Sequence, residues 1–435
     1  MLFNYLKYIK PIWYFNLKSE KDWGYFPTAE QIGHNFSVDN RYLSDDSKAR
    51  DLAFTAFQSG FINKDYKSGI DIWKKVDLPV IDEYIFLRKN FHYAWVIYVF
   101  ILRIFTFNNP IKEFIGFIKS IGINRISYSK KPFEFNDFEL FKSELINSTP
   151  FISVIIPTLN RYSYLFDVLK DLENQDYKNF EVIIVDQTDP FREEFYKDWN
   201  LNLKYWYQPE KALWKARNEA IKVAKGDYIL LYDDDSRVEK NWISEHIKGL
   251  DYFKADISSG VSLSTVGAEI PEHYKYFRWG DQLDTGNVLL KKTIFEEIGY
   301  FDLKFEKQRM GDGEFGLRAY LKGYKNISNP NAKRIHLKVS EGGLRQMGSW
   351  DGWRPKKLLG PRPVPSVLYL SRKYFGNRLS IFYIIKSILP SLVPYKLKKN
   401  RTLKVLIYFL LPIIIPLVFF QVLKSWKLST DKLQN

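Results

Sequence analysis

Three short apolar runs in the middle of the chain constrain the fold most. FISVII (151–156) leads to Thr158, EVIIV (181–185) leads to Asp186, and YILLY (228–232) runs directly into three aspartates. Continuous apolar runs rich in β-branched side chains are typical of strands that are buried on both faces of a sheet. Because helical periodicity separates these runs, the pattern predicts an α/β domain with a mostly parallel sheet flanked by helices.

The segments between the strands are predicted helices over 161–174 and 212–224, and KYWY (204–207) is a further candidate strand. Parallel sheets bind ligands beyond the carboxyl ends of their strands. We therefore expect the polar residues at those ends to face one crevice. They are Thr158, Asn160, Asp186, Asp233, Asp234 and Asp235.

The aspartate triplet favours a metal site. Three adjacent carboxylates repel one another, and Mg²⁺ or Mn²⁺ offsets that repulsion while keeping coordination positions for phosphate oxygens. The alternative is a helix N-cap, because Asp235 or Ser236 precedes the helical run VEKNWISEHI.

Three other polar residues have two interpretations each. Asp186 could accept hydrogen bonds from a nucleotide, or it could form a turn in DQTDP. Arg217 could pair with a phosphate or with Asp233, or it could be an ordinary solvated charge. His336 could be a further metal ligand through a neutral ring nitrogen, or it could be structural.

The segment MGDGEFGLRAYLKG (310–323) places Asp312 between two glycines, just before a predicted helix. A carboxylate there could take a proton from an incoming hydroxyl, and the alternative is again an N-cap. The next segment, SEGGLRQMGSWDGW (340–353), has the glycines of a mobile lid, from which Arg345 could reach a pyrophosphate.

The basic excess of the chain is confined to its last quarter. Residues 331–435 hold 20 Lys and Arg against 3 acidic residues, a net charge of +17, whereas the first 330 hold 45 and 47, a net charge of −2. The basic segment flanks an uncharged apolar stretch at 405–423, just long enough to cross a bilayer core of about 30 Å. This arrangement indicates an anionic membrane surface and no nucleic-acid partner.

Two prolines in the 405–423 stretch leave three interpretations open: a single span, an interfacial or re-entrant helix, and a buried core helix. By the positive-inside rule, the main domain lies on the cytoplasmic face of the membrane.

The chain has no cysteine, which excludes a disulfide scaffold and a thiolate metal site. The apolar run YAWVIYVFIL (93–102) is too short to span.

Four ordered pieces between Phe151 and His336 resemble the family 2 glycosyltransferases with the GT-A fold. The pieces are PTLNR, VDQT, ARNEAIKVAKGDYILLYDDD, and TGNVLLKKTIFEEIGYFD followed by GDGEFGLR. The resemblance implies a GT-A domain at 151–340, between a helical accessory region of unknown function at 1–150 and a lid and membrane-associated region at 341–435. It also implies an inverting, metal-dependent transfer of sugar from a nucleotide-sugar donor, most simply a UDP-sugar, to a hydroxyl.

The resemblance assigns roles to individual residues. Asp312 would be the catalytic base. Pro157, Thr158, Asn160, Asp186, Arg217, Asp233 and Asp234 would bind the donor, Asp235 and His336 the metal, and Gly286, Asn287 and Glu314 would lie on the acceptor side. Glu314 is also a rival base, because the family often has Glu-Asp where this chain has Gly311-Asp312.

The acceptor is expected to be membrane-bound, for example a lipid-linked saccharide of a surface polysaccharide. QMGSW (346–350) has serine where polymerising family members have arginine, which favours transfer of one sugar. Two alternatives are a non-catalytic nucleotide-sugar-binding scaffold and a nucleotidyltransferase. The second would normally have a glycine-rich basic loop after its first strand, and PTLNRYSY is not of that kind.

Overall fold

The computed structural model describes residues 1–21, 24–63, 69–264, 271–281, 283–339, 342–344, 351–393 and 411–434. The lid residue Arg345, the QMGSW segment and the first part of the 405–423 stretch lie outside these ranges, as do the basic residues at 396–404.

A sheet of nine strands lies at the centre of the α/β domain. Its strands are β1 (Ile152–Thr158), β2 (Phe180–Asp186), β3 (Leu203–Tyr207), β4 (Tyr228–Tyr232), β5 (Ser236–Val238), β6 (Ile257–Ser264), β7 (Arg278–Trp279), β8 (Asn287–Lys291) and β9 (Asn326–His336). The order is β3-β2-β1-β4-β8-β6-β9-β5, and β7 pairs with β9. All residues of β1 and β2 are buried, which confirms the interpretation of the apolar runs.

One half of the sheet is parallel and the other is mixed. Strands β3, β2, β1 and β4 run parallel to one another. Strand β8 is antiparallel to both β4 and β6, whereas β6 and β9 are parallel. The predicted α/β sheet flanked by helices is thus confirmed, but "mostly parallel" holds only for the β3-to-β4 half.

Among the described residues, seven α-helices precede the sheet: α1 (Leu6–Ile9), α2 (Ala29–Ile32), α3 (Asp45–Gln58), α4 (Val80–Asn90), α5 (Tyr93–Phe105), α6 (Pro110–Lys119) and α7 (Glu144–Asn147). Five flank it: α8 (Tyr162–Glu173), α9 (Leu213–Val223), α10 (Trp242–Tyr252), α11 (Thr293–Ile298) and α12 (Gly311–Leu321). A single cluster of buried apolar side chains runs from the first residues into the sheet, so the N-terminal helices and the α/β domain share one core.

Two long helices follow the sheet, α13 (Pro365–Leu392) and α14 (Leu411–Gln434). Helix α13 bends at Gly376, whose φ of 75° is outside the helical region. In the described part of the chain, one helix, Pro412–Gln434, is long and apolar enough to cross a bilayer by length and composition. That is weak evidence for a span, and it leaves the interfacial interpretation open.

Candidate active site

The three aspartates lie in the loop between β4 and β5. Strand β5 begins at Ser236 and pairs with β9, placing Ser236 opposite His336 at the end of β9. Helix α10 begins only at Trp242. The alternative that Asp235 or Ser236 caps this helix is therefore wrong, because a strand separates the triplet from the helix.

Three arginines, which lie far apart in the sequence, bind the aspartates. Asp233 accepts from Arg217 at 3.0 Å and from Arg334 at 2.8 Å. Arg161 donates to Asp234 at 2.8 Å and lies 3.1 Å from Asp235. Guanidinium groups thus already supply charge opposite to these carboxylates, in addition to any charge that the predicted divalent cation would bring.

A metal ion would still find suitable ligands here. One oxygen each of Asp233 and Asp235 and one ring nitrogen of His336 lie within 4.8 Å of one another. His336 Nε2 is 3.3 Å from Asp235 Oδ1. Two carboxylates and an imidazole suit Mn²⁺, and carboxylates with phosphate suit Mg²⁺, so the donor set fits the predicted cofactor.

Burial separates the pKa values of the two neighbouring carboxyl groups, Asp234 and Asp235. Loss of hydration raises the pKa of Asp234 to about 6, even though Arg161 opposes the shift. Burial also acts to raise the pKa of Asp235, but the hydrogen bond with His336 and the charge of Arg161 outweigh it and lower that pKa. The residue best placed as a ligand therefore stays ionised.

The predicted nucleoside contacts at the ends of β1 and β2 have partners within the protein. The Thr158 hydroxyl donates to Asp234 Oδ2 at 2.8 Å. The buried Asp186 carboxylate accepts from Tyr162, Tyr196 and the Thr188 amide at 2.6, 2.8 and 2.8 Å. This carboxylate thus fixes the loop after β2, and its contact with a nucleotide stays a prediction.

Pro157 and Asn160 flank this edge of the sheet. Pro157 lines the cleft of the aspartates. Asn160 has a left-handed backbone with φ of 56°, and its backbone N–H donates to the Thr188 hydroxyl at 2.8 Å. The side chain of Asn160 is exposed, so it is accessible to a ligand.

Asp312 lies in the first turn of α12 and faces the triplet across the cleft. The cleft has a volume of about 50 Å³, and its lining includes all three aspartates together with Asp312. Asp312 also borders a cavity of about 330 Å³ and another of about 230 Å³. This carboxylate therefore stands where three spaces meet.

The three residues predicted on the acceptor side contact other parts of the protein, and their role towards an acceptor stays a prediction. The Asn287 side chain is buried, accepting from Trp242 and His246 and donating to backbone carbonyls. Glu314 is buried and binds Arg318 and Lys373, so it does not compete with Asp312 for the cleft. A Cβ atom at Gly286 would lie 2.2 Å from both Asp233 and Arg334, so glycine is needed to admit that ion pair.

The sequence interpretation missed several residues that build the site. Arg161 stood in the quoted PTLNR piece, but Arg334 gave no signal beyond its position two residues before His336. The cavity of about 330 Å³ is lined by a segment of the N-terminal region and by α13 as well as by the α/β domain. Its lining is Lys10, Pro11, Ile12, Trp13, Tyr14, Asp281, Leu283, Arg309, Met310, Asp312, Gly313 and Lys386.

Comparison with known proteins agrees with this geometry. Residues 153–307 match the family model described as glycosyl transferase family 2. A dolichyl N-acetyl-α-D-glucosaminyl phosphate 3-β-D-2,3-diacetamido-2,3-dideoxy-β-D-glucuronosyltransferase from Methanococcus voltae is 26% identical over 208 residues, covering 42% of this chain and 65% of that protein. The poly(ribitol-phosphate) β-N-acetylglucosaminyltransferase TarS from Staphylococcus aureus (strain Mu50) is 30% identical over 112 residues, covering 24% and 20%.

Two solved structures are also similar to this chain, at lower sequence identity. The structure of S. aureus TarS 1–349 in complex with UDP-GlcNAc has a TM-score of 0.40 and 20% identity, covering 58% of this chain and 74% of that one. The Pyrobaculum calidifontis mannosyltransferase PcManGT, with GDP-Man and Mn²⁺, has a TM-score of 0.41 and 14% identity, covering 68% and 91%. The matched part is 65% or less of the length of the curated relatives named above.

Proposed function

We propose that this chain, whose residues 153–307 belong to glycosyl transferase family 2, transfers one sugar from a nucleoside-diphosphate sugar to a hydroxyl of a membrane-bound acceptor. One observation carries the proposal: Asp312 shares a cleft with Asp233, Asp234 and Asp235. The Asp312 carboxylate can act as a base beside the donor diphosphate, because the arginine-bound aspartates lie on the opposite side of the cleft.

The transfer that we propose inverts the configuration at the anomeric carbon of the sugar. The Asp312 carboxylate takes the proton of the acceptor hydroxyl as its oxygen bonds to the anomeric carbon. The bond from that carbon to the diphosphate oxygen breaks, and its electron pair leaves with the nucleoside diphosphate. A divalent cation bound by Asp233, Asp235 and His336 would neutralise charge on that leaving group.

We assign the acceptor to the cavity of about 330 Å³. It opens onto Asp312, and Trp13 and Tyr14 supply aromatic surface of the kind that packs on sugar rings. Lys10 and Lys386 lie in its lining, and neither forms a carboxylate ion pair among the described residues. Burial lowers the pKa of both amines. These two cations support an acceptor that carries phosphate or carboxylate.

The decisive variant is Asp312→Asn. With a UDP-sugar and Mn²⁺, wild type should release UDP by slow hydrolysis even without the acceptor, and the variant should lose this release while its UDP affinity, measured by calorimetry, stays unchanged. Glu314→Gln is a less informative comparison because it disturbs a buried ion pair, so Asp302→Asn, outside the cleft, serves as the control.

Each outcome decides between functions. Full UDP release by the Asp312 variant contradicts the assignment of the base. UDP binding by wild type with no release for any UDP-, GDP- or dTDP-sugar supports the non-catalytic scaffold. A thermal-shift screen of these nucleotides with Mn²⁺ identifies the donor, since saturating ligand should raise stability by a few kcal/mol.

A further inference from the structure

The hairpin of α5 and α6 exposes many apolar side chains, although Val96 and Val99 of α5 are buried. Tyr93, Ile97, Ile101 and Phe105 recur every four residues on α5 and are all exposed. Ile111, Phe114, Ile115 and Ile118 form a matching exposed stripe on α6, and Phe107 and Ile121 extend it. We call these ten side chains the hairpin face.

The connecting turn projects farthest. Phe107 is 97% exposed and Phe105 is 77% exposed. The backbone of Phe107 is left-handed, with φ of 57°, which is uncommon for a bulky residue. A large aromatic ring held outward in this way has no role in the core of the protein.

A charged network fixes the hairpin from within. The buried Glu113 carboxylate accepts hydrogen bonds from the Tyr5 and Tyr84 hydroxyls, each at 2.8 Å. Arg103 of α5 binds the same carboxylate, with its Nε at 3.0 Å. A Cβ atom at Gly116 would lie 2.8 Å from the Tyr84 ring, so α6 packs closely on α4. The hairpin face is therefore a rigid surface of the fold.

Monomeric soluble proteins rarely expose a contiguous apolar surface of this extent, and such surfaces mark interaction sites. Two features indicate a lipid surface as the occupant. The exposed charges around the face are basic, namely Lys112, Lys119 and Arg125, and the only acid between Phe91 and Ile126 is the buried Glu113. Helix α5 has 13 residues, about 20 Å, which is too short to span.

The face also continues towards the C-terminal helices. Lys386 of α13 lies 5.5 Å from the centre of the Trp95 ring on α5. Helix α13 exposes Ile381, Ile385 and Leu389 in a stripe of its own. A second helix with an exposed apolar stripe thus contacts the hairpin.

We propose that the hairpin face lies in the headgroup region of a bilayer that contains anionic lipids. Its apolar side chains enter the acyl boundary, and the lysines at its edge contact lipid phosphate. The hairpin face shares no residue with the 405–423 stretch or with the aspartate cleft, so it can be tested without the acceptor.

The experiment is vesicle co-sedimentation of the full chain, using phosphatidylcholine vesicles with and without phosphatidylglycerol. We expect Ile101→Glu with Phe105→Glu to lower partitioning by at least about tenfold, because two charges would enter the apolar boundary. The matched control, Leu43→Glu with Leu140→Glu, changes two exposed apolar residues outside the hairpin and should partition like wild type. Lys112→Gln with Lys119→Gln should remove about tenfold of the preference for phosphatidylglycerol.

The four replaced apolar side chains, two in the hairpin face and two in the control, are all exposed. The variants should therefore keep the wild-type melting temperature and UDP affinity. Wild-type partitioning of the Ile101/Phe105 variant overturns the proposal. So does conversion of a dimer to a monomer by that variant with lipid binding intact, because the face would then bind a second copy. If the wild-type protein partitions onto vesicles but releases no UDP, that result counts against the proposed transferase function and leaves the proposed lipid contact standing.

Discussion

Arg334 should be the most costly side chain to remove from the active site. It is 1% exposed and lies 2.8 Å from Asp233 and 3.0 Å from Asp284. Near an effective dielectric constant of about 20, each contact has a gross Coulomb energy of roughly 5 kcal/mol, much of which offsets desolvation of the guanidinium. Asp233 is 15% exposed and Asp284 38%, so water screens the second pair more.

We expect Arg334→Gln to lower the free energy of unfolding by about 3 to 5 kcal/mol, the usual cost of removing one partner of a buried ion pair, with Asp233 keeping its pair with Arg217. At roughly 1 °C per kcal/mol for a chain of 435 residues, the melting temperature should fall by about 3–6 °C. Circular dichroism melts in low and high salt measure this, and the loss should persist in high salt because the pair is buried.

Arg237→Gln is the matched control on neighbouring β5. Arg237 binds Asp171 at 2.7 Å, but its side chain is 43% exposed. Surface pairs contribute about 0–1 kcal/mol, so this variant should melt within about 1 °C of wild type. If Arg334→Gln also melts within that margin, the three arginines do not hold the aspartates together and the account of the site is wrong.

Three further predictions concern binding. Gly286→Ala should weaken UDP binding with Mn²⁺ at least about tenfold by calorimetry, because its Cβ would displace the Arg334 pair, whereas Gly280→Ala, with 3.0 Å to a flexible side chain, should not. His336→Gln should weaken Mn²⁺ binding by about tenfold or more in a fluorescence titration, and unchanged affinity would remove His336 from the ligand set. Burial lowers the pKa of Lys386 to about 8, so the KM of an anionic acceptor should rise as pH increases through 8 and the ammonium loses its proton, with donor affinity constant; a flat profile would contradict the acceptor assignment.

The sequence predicted the parallel half of the sheet well, because buried strands there are uninterrupted apolar runs. YILLY coincides with β4, and the helix predicted over 161–174 is α8 at 162–173. The carboxylate cleft was predicted from the same logic, since strand ends meet at one edge. Asp233, Asp235 and His336 do converge.

The errors have a common physical origin in long-range contacts. Arg334 is 101 positions from Asp233, and no local pattern announces such a pair. Strand β8 is antiparallel to β4, which its apolar sequence did not indicate. Asn287 and Glu314 were placed on the acceptor side by analogy with a motif, and both side chains are buried, so their contact with an acceptor stays a prediction.

The wall of the large cavity is built from three parts of the chain. Lys10 and Trp13 precede the predicted 151–340 domain and Lys386 follows it, yet all three border the same space as Asp312. Under the proposed function, changes in these two flanking regions would alter which acceptor enters the cavity while the aspartate cleft keeps its chemistry. Variants designed to change the choice of acceptor should therefore target the flanking regions rather than residues 153–307.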